Sequence, residues 1–278
     1  MSIAAARLVL GGHSFCTALA NEPAPTTAEA RQLVAACGDV GIEWFDTTYR
    51  PERTALGNAL RGGTHPRARV IAWNFFKDFR ESEEPGGPEA YQPAHIAAML
   101  DDLGVARIDL LIVHHVGDRD TDLAQERLAF SWLEQGKAAA VGLWHPDAGQ
   151  LRRKSYASGY SAMVRPCNIT THDNSAFECA KELGWQTFAC SPFVRGWELD
   201  RLIKRAQQRD SSADPSELRA RIGDHLLRLS LYSPGVDRLI VAMRKPEWVA
   251  INAASAARGA LSPDELAWLM ALRDSAAG

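Results

Sequence analysis

The segment LGVARIDLLIVHHVGD, residues 103–118, contains a mostly apolar run that ends on two histidines. Branched apolar residues dominate Ile108–Val113, which is typical of a buried strand. Because side chains alternate between the two faces of a strand, Leu110, Ile112 and His114 share one face. The segment therefore predicts a buried strand that carries a histidine at its carboxyl end.

Seven further strand candidates occur along the chain, and amphipathic helix patterns lie between them. This alternation predicts parallel βαβ units, and eight strands indicate a closed (β/α)8 TIM barrel of the α/β class. No G-x-G-x-x-G motif follows the first strand, which disfavours a Rossmann domain. We therefore expect residues 1–278 to form a single barrel domain. The strands are predicted at Arg7–Gly11, Ile42–Thr48, Arg69–Asn74, Ile108–His115, Ala138–Trp144, Ala162–Asn168, Gln186–Ser191 and Arg238–Met243.

Several helix patterns have recognisable boundaries. Thr26 and Glu29 form a capping-box pattern, and the helix that follows is expected to end near Gly38. The segments HPDAGQLRRK, RKPEWVAINAA and LSPDELAWLMALR each place a proline near a first turn, where its missing N–H costs nothing.

Composition narrows the classes of function. The formal net charge is −3 and no Lys/Arg-rich run occurs, so nothing predicts a nucleic-acid partner. No apolar run approaches the roughly 20 residues of a membrane span. The amino terminus lacks a basic signal-peptide region, and the 5 cysteines form no C-x-x-C pair. We therefore expect a cytoplasmic protein with free thiols that acts on a small molecule. The sequence indicates no particular oligomeric state.

Polar side chains end three neighbouring strands of the predicted barrel. Functional residues of such barrels lie at the carboxyl ends of the strands. Alternation places Asp46 on one face with Trp44, and Asn74 on one face with Ala72. Together with His114, Asp46 and Asn74 are expected to converge on the barrel mouth. Further candidates for its rim are His13, His145 and His172.

The sequence resembles the aldo-keto reductases over nearly its whole length. The segments that carry this resemblance are GIEWFDTTYRPERTALGNAL (41–60), LGVARIDLLIVHHVGD (103–118), LEQGKAAAVGL (133–143), ACSPFVRG (189–196) and IVAMRKPEWVAIN (240–252). They match the family's motifs in the same order along the chain.

The resemblance implies a catalytic tetrad of Asp, Tyr, Lys and His beside a nicotinamide cofactor. Asp46 and His114 match the family's positions, and Tyr49 is the only tyrosine near the position of the proton donor. The Lys position corresponds to Asn74, which could hydrogen-bond Asp46 or Tyr49 but brings no charge. Without an ammonium group, the Tyr49 phenol is expected to keep a pKa of about 10 and to be a poor proton donor.

The resemblance also implies NADPH as the cofactor, although the two ends of its site differ. The residues expected at the phosphate end are Ser191, Phe193, Arg195, Gly196, Arg244, Lys245 and Asn252. The nicotinamide end departs from the family, because Trp144 and His145 replace a Ser-Asn pair and Val164 replaces a Gln. The predicted substrate-binding residues are His13, Trp144, His145 and Arg165.

These residues leave several functions open. The first is NADPH-dependent reduction or oxidation of a small carbonyl or alcohol. The second is a redox-silent lyase, dehydratase or epimerase in which Asp46 is the base, His114 the acid and Arg165 an anion anchor. The third is a metal-dependent hydrolase, although no H-x-H or H-E-x-x-H pair is present. A non-catalytic barrel that senses a ligand or binds a partner is the fourth. The metal ligands of the third would be His13, Asp46, His114 and His145.

Overall fold

The computed structural model describes residues 4–16, 23–77, 86–153, 159–171 and 173–274. Within these ranges, eight parallel strands close into a barrel in chain order. Each strand lies inside its predicted bounds, so the predicted (β/α)8 barrel is confirmed. The strands are β1 (Leu8–Leu10), β2 (Trp44–Thr47), β3 (Arg69–Trp73), β4 (Leu110–Val113), β5 (Val141–Trp144), β6 (Ala162–Pro166), β7 (Gln186–Cys190) and β8 (Arg238–Val241).

Helices follow the strands and surround the barrel. In the described ranges they are α1 (Thr27–Val40), α2 (Arg50–Leu60), α3 (His95–Leu103), α4 (Arg119–Glu134), α5 (Ala148–Leu151), α6 (Ser175–Glu182), α7 (Trp197–Arg209), α8 (Pro215–Leu231), α9 (Pro246–Ala257) and α10 (Pro263–Asp274). None of these helices has the length and apolar character that crossing a bilayer requires.

In the first helix the sequence predicts the start correctly and the end incorrectly. Thr26 and Glu29 form the predicted capping box at the start of α1. The helix continues through Gly38 and ends at Gly41, which adopts the left-handed conformation with φ of 88°. Gly38 lies inside the helix, where a Cβ would come within 3.1 Å of His65. Close packing, rather than helix termination, therefore explains Gly38.

Two apolar layers separate the barrel interior from the ring of helices. The interior layer is formed by Val9, Trp44, Ile71, Trp73, Phe75, Leu110, Ile112, Ala162, Val164, Phe188 and Ile240. Ala72 instead packs in the outer layer between strands and helices. The predicted inward face is therefore right for Trp44 and for Leu110 and Ile112. On β3 it is wrong, because a shift of one residue moves every side chain to the opposite face.

The amino-terminal end of the barrel is filled by an aromatic and arginine cluster. The guanidinium groups of Arg69 and Arg238 lie 5.5 and 5.2 Å from the ring centre of Trp44. Phe188 packs edge-on against the same indole at 5.5 Å. The polar mouth lies at the opposite end, where the strands finish.

Candidate active site

Two indole rings connect the acidic and the imidazole groups of the barrel mouth. Asp46 near the end of β2 accepts a hydrogen bond of 2.6 Å from Nε1 of Trp73. Trp73 packs edge-on against Trp144 at 5.2 Å, and Trp144 lies 5.7 Å from the ring of His114. Asp46 and His114 therefore share one mouth and lie at the two ends of this indole pair.

The Asp46 carboxyl group is almost completely buried, with 5% of its surface exposed. Burial raises its pKa to about 7, and the nearby carboxylate of Glu52 acts in the same direction. The Trp73 indole, His13 and the backbone N–H of Gly12 each lower the pKa, but together they do not compensate for burial. Asp46 thus titrates near neutral pH.

Asn74 does not reach Asp46, and the predicted contact with Asp46 or Tyr49 is not made. The two hydrogens of its amide nitrogen are shared among three acceptors, the carbonyls of Glu89 and His114 and Oε1 of Gln125, at 2.9, 2.8 and 3.2 Å. Its Oδ1 accepts from the backbone N–H of His114 at 2.9 Å. Asn74 is fully buried behind the mouth, where it joins β3 to β4 and α4.

His114 is a neutral imidazole at the end of β4. Burial lowers its pKa to about 4, and the charges of His115 and His145 act in the same direction. Its Nδ1 is buried without a hydrogen-bond partner in the described part of the structure. A neutral imidazole offers one N–H donor and one acceptor nitrogen. His114 can therefore hydrogen-bond a ligand without bringing a charge.

Tyr49 lies at the same mouth as the residue that precedes α2. Its ring packs edge-on against Phe75 at 5.3 Å and stacks on the ring of His13 at 5.8 Å. His13 Nδ1 lies 2.7 Å from Oε1 of Glu52, whose side chain is fully buried. The other oxygen of Glu52 accepts the backbone N–H of Thr48 and of Tyr49. Glu52 thus connects the loop after β1 to the loop after β2.

A second buried residue of α2 sets the position of the aromatic side chains on β3. The Arg53 guanidinium donates to the carbonyls of Trp73 and Phe75 at 3.2 and 2.9 Å. Its side chain is fully buried, and Asp102 is its nearest carboxylate at 3.8 Å. These bonds fix the end of β3 and orient the indole that contacts Asp46.

The remaining predicted substrate residues lie at the rim. His145 is exposed and has a left-handed backbone with φ of 53°. Its ring lies 5.6 Å from Trp144. Arg165 follows the inward Val164 on β6 and donates to the carbonyl of Pro146 at 2.9 Å. His172 lies outside the described residues.

The loop after β7 leads directly into the amino terminus of α7. Ser191 and Val194 hold left-handed backbones, with φ of 59° and 48°. Gly196 precedes α7 and provides no side-chain cap. Phe193 packs against the outer apolar layer and against an apolar cluster of α7, α8 and α10. The side chain of Arg195 lies outside the described part of the structure.

Two cations lie at the start of α9. The Arg244 guanidinium donates to the carbonyls of His13, Cys16 and Pro23 at 3.2, 2.6 and 2.7 Å. The Lys245 ammonium lies 5.3 Å from the ring centre of Trp248, and Lys245 provides no side-chain cap to α9. Arg244 thus holds the loop after β1, whereas Lys245 is exposed. Asn252 is half-buried two turns into the helix.

The four residues of the metal hypothesis do not form one cluster. Among the described residues, the ligand atoms of His13 lie close to those of Cys16 and Glu52. A second acidic and imidazole group, Asp224 with His225 and Glu265, lies on α8 and α10. Asp46, His114 and His145 are therefore not in the arrangement which that hypothesis requires.

Comparison with known proteins identifies the family to which the chain belongs. The model of the Aldo/keto reductase family matches residues 7–274. The chain belongs to the aldo-keto reductases. The resemblance inferred from the sequence motifs is confirmed, and it makes the protein an enzyme of the oxidoreductase class. Enzymes of this family work with a nicotinamide cofactor.

Solved aldo-keto reductase structures share the fold. A glycerol dehydrogenase from Gluconobacter oxydans has a TM-score of 0.70 and 18% sequence identity, covering 96% of this chain and 90% of its own. A predicted aldo-keto reductase from Pseudomonas aeruginosa has a TM-score of 0.65 and 21% identity, covering 91% and 89%. At these identities the likeness establishes the barrel alone.

Sequence reasoning missed three residues that shape the mouth of this aldo-keto reductase, namely Trp73, Glu52 and Arg53. For Trp73 the sequence offers no decisive signal, because both faces of a parallel strand are apolar. Glu52 does carry one, since an acidic residue three positions after Tyr49 fits the start of a helix. For Arg53, no local pattern distinguishes a buried arginine from an exposed one.

Proposed function

We propose that this aldo-keto reductase is an NADPH-dependent oxidoreductase that interconverts a small carbonyl compound and its alcohol. The observation that carries the proposal is the neutral His114 imidazole at the carboxyl end of β4, beside the rings of Phe75 and Trp144. The rings of Phe75 and Trp144 flank His114, and the Tyr49 ring packs on Phe75, so an apolar substrate is favoured.

The phosphate end of the site suits a dinucleotide. Both α7 and α9 begin without a side-chain cap, and the positive ends of their helix dipoles would face the phosphates. Lys245 adds a positive charge at the start of α9. At the other end, neither Trp144 nor Val164 offers the polar groups that usually hold the carboxamide, which leaves the exposed His145 to do so. When bound, NADPH would supply the hydride.

Each residue of the mouth has a role in this proposal. His114 donates a hydrogen bond to the substrate oxygen and polarises the carbonyl without adding charge. Tyr49 donates the proton to that oxygen. The Trp73 indole donates to Asp46, which the family pairs with a lysine, so in this proposal a neutral donor replaces the ammonium. Asn74 supports the site from behind by holding the backbone of His114.

The redox-silent alternative requires a different order of pKa values. It makes Asp46 the base and His114 the acid. Asp46 instead keeps its proton up to a pH of about 7, whereas His114 has lost its own above about 4. At neutral pH the imidazole can accept a proton and the carboxyl group can donate one. This order opposes the assumed roles and favours the carbonyl-polarising role of His114.

Cofactor titration tests the proposal. Intrinsic tryptophan fluorescence would follow binding of NADPH and NADH, and turnover would be assayed on a panel of apolar aldehydes and ketones. We expect Lys245→Ala to weaken NADPH binding about tenfold, since one charge-assisted contact contributes about 1.4 kcal/mol or more. Lys204→Ala is the matched control, because Lys204 is exposed on α7. If neither dinucleotide binds at sub-millimolar concentration, the proposal is wrong and the redox-silent alternative replaces it.

A further inference from the structure

We propose that His13, paired with Glu52, supplies the positive charge beside Tyr49 that the family obtains from its lysine. The inference rests on the proposed role of Tyr49 as proton donor. His13 acts through Tyr49 and is therefore a positioning residue. Three observations carry it: a buried carboxylate, its contact with an imidazole, and the stacking of that imidazole on the phenol.

The buried Glu52 side chain favours a protonated His13. Glu52 has no solvent exposure, and its Oε1 lies 2.7 Å from His13 Nδ1. A buried carboxylate without a cationic partner is strongly unfavourable, so the pair stabilises the imidazolium. Cys16 donates to the same oxygen at 3.3 Å but brings no positive charge. His13 is the cation in direct contact with Glu52, and the Arg53 guanidinium is a second cation within electrostatic reach of the same carboxylate.

The imidazole of His13 lies against the face of the Tyr49 ring. The two ring centres are 5.8 Å apart and the planes are inclined by 14°. A cation at this distance stabilises the phenolate form of a tyrosine and makes the phenol a better acid. At the dielectric constant of a partly exposed site, the expected effect is on the order of one pKa unit.

Other charged groups face this pair and set the limits of the effect. Asp46 is within electrostatic reach of both His13 and Glu52. The Glu52 carboxylate, which accepts the backbone N–H of Tyr49, and an ionised Asp46 both oppose ionisation of the Tyr49 phenol. The Arg244 guanidinium bonds the carbonyl of His13, so it weakens the preference of His13 for the charged state. The loop after β1, which carries His13, is held by Arg244 and Glu52 at fixed distance from Tyr49. Charge and position are thus provided by one connected set of residues.

The protonation state of His13 tests the inference without any cofactor. The protein carries ¹⁵N-labelled histidine, and His13→Gln assigns the resonance. We expect His13 to show the imidazolium signature at pH 7 in the wild type and the neutral signature in Glu52→Gln, because that variant removes the buried anion and keeps an oxygen for the backbone N–H groups. In His13→Gln, kcat for carbonyl reduction at pH 7 should fall about tenfold, with a smaller change in KM.

The control is His115→Gln, because His115 forms a similar pair with Glu126 at 2.8 Å after β4. Its substitution should leave the His13 signature unchanged. If His13 is neutral at pH 7 in the wild type, or if His13→Gln leaves kcat unchanged, the inference is wrong. Failure of NADPH to bind would overturn the proposed function instead and would leave the His13 signature intact.

Discussion

Replacing Trp73 with Phe tests whether the indole N–H stabilises the charge on Asp46. The two side chains are joined by a bond of 2.6 Å, and each is 5% exposed. Phe keeps an aromatic ring inside the barrel but has no donor. The ionised carboxylate then loses a charge-assisted hydrogen bond, which contributes about 1.5–3 kcal/mol.

The expected loss of stability depends on pH because the pKa of Asp46 is about 7. The smaller ring costs about 2 kcal/mol at any pH. Near pH 5 the carboxyl group is protonated, and the missing neutral hydrogen bond adds about 1 kcal/mol. Near pH 9 it is ionised, and the missing bond adds about 1.5–3 kcal/mol. The variant should therefore be destabilised by about 3 kcal/mol in acid and by up to about 5 kcal/mol in base.

Urea unfolding followed by far-UV circular dichroism would measure this difference. Trp44→Phe is the matched control, since Trp44 lies in the same interior layer with 5% exposure and contacts arginines rather than Asp46. Its loss should be independent of pH. In an Asp46→Asn background, Trp73→Phe should also become independent of pH. Equal losses in acid and base for Trp73→Phe alone would refute the role assigned to the indole.

Three further predictions concern neighbouring residues. Asp46→Asn should stabilise the protein by at most about 4 kcal/mol, because burial raises the wild-type pKa of Asp46 from its ordinary value of 3.8 to about 7. This gain in the free energy of unfolding should be absent below about pH 4, increase up to about pH 7 and stay constant above it. If urea unfolding shows the gain at low pH as well, burial of the charge does not cause it. Asn74→Ala should destabilise the protein by about 3–4 kcal/mol by breaking its bonds to Glu89, His114 and Gln125, and an unchanged urea midpoint would disprove this structural role. Because its pKa is about 4, His114 should remain neutral in ¹⁵N NMR spectra down to about pH 5, and His114→Gln should lower kcat/KM about 10- to 100-fold. A His114 that titrates at its ordinary pKa would contradict the prediction.

The strands and most helix starts follow from the sequence because their signals are local. A run of branched apolar residues marks a buried strand wherever it packs, and a capping box such as that of Thr26 and Glu29 satisfies backbone groups three residues away. The ends of strands β2 and β4 were also predictable. Asp46 and His114 interrupt apolar runs, and closure of the barrel brings the ends of all strands to one mouth.

The inward face of β3 was decided only by the tertiary structure. Ile71 and Trp73 alternate with Ala72 and Asn74, and both sets of side chains are buried. Neither face of the strand is polar and exposed, so alternation in the sequence cannot show which face points into the barrel. The β2–β3 register decides which set points inward. Sequence resemblance therefore led to Asn74, one residue away from the indole that contacts Asp46.

Contacts between residues that are distant along the chain could likewise not be predicted from the sequence. His13 and Glu52 are separated by 39 positions, and Trp73 and Asp46 by 27. Motifs could identify Asp46, Tyr49 and His114 as residues of the mouth, because family resemblance is carried by short segments. Two features of the mouth depend on burial and distance instead. One is whether Asp46 is hydrogen-bonded by a lysine or by an indole, and the other is which cation lies beside Tyr49. The sequence alone determined the barrel and the ends of its strands, while packing of the closed barrel determined the charges at its mouth.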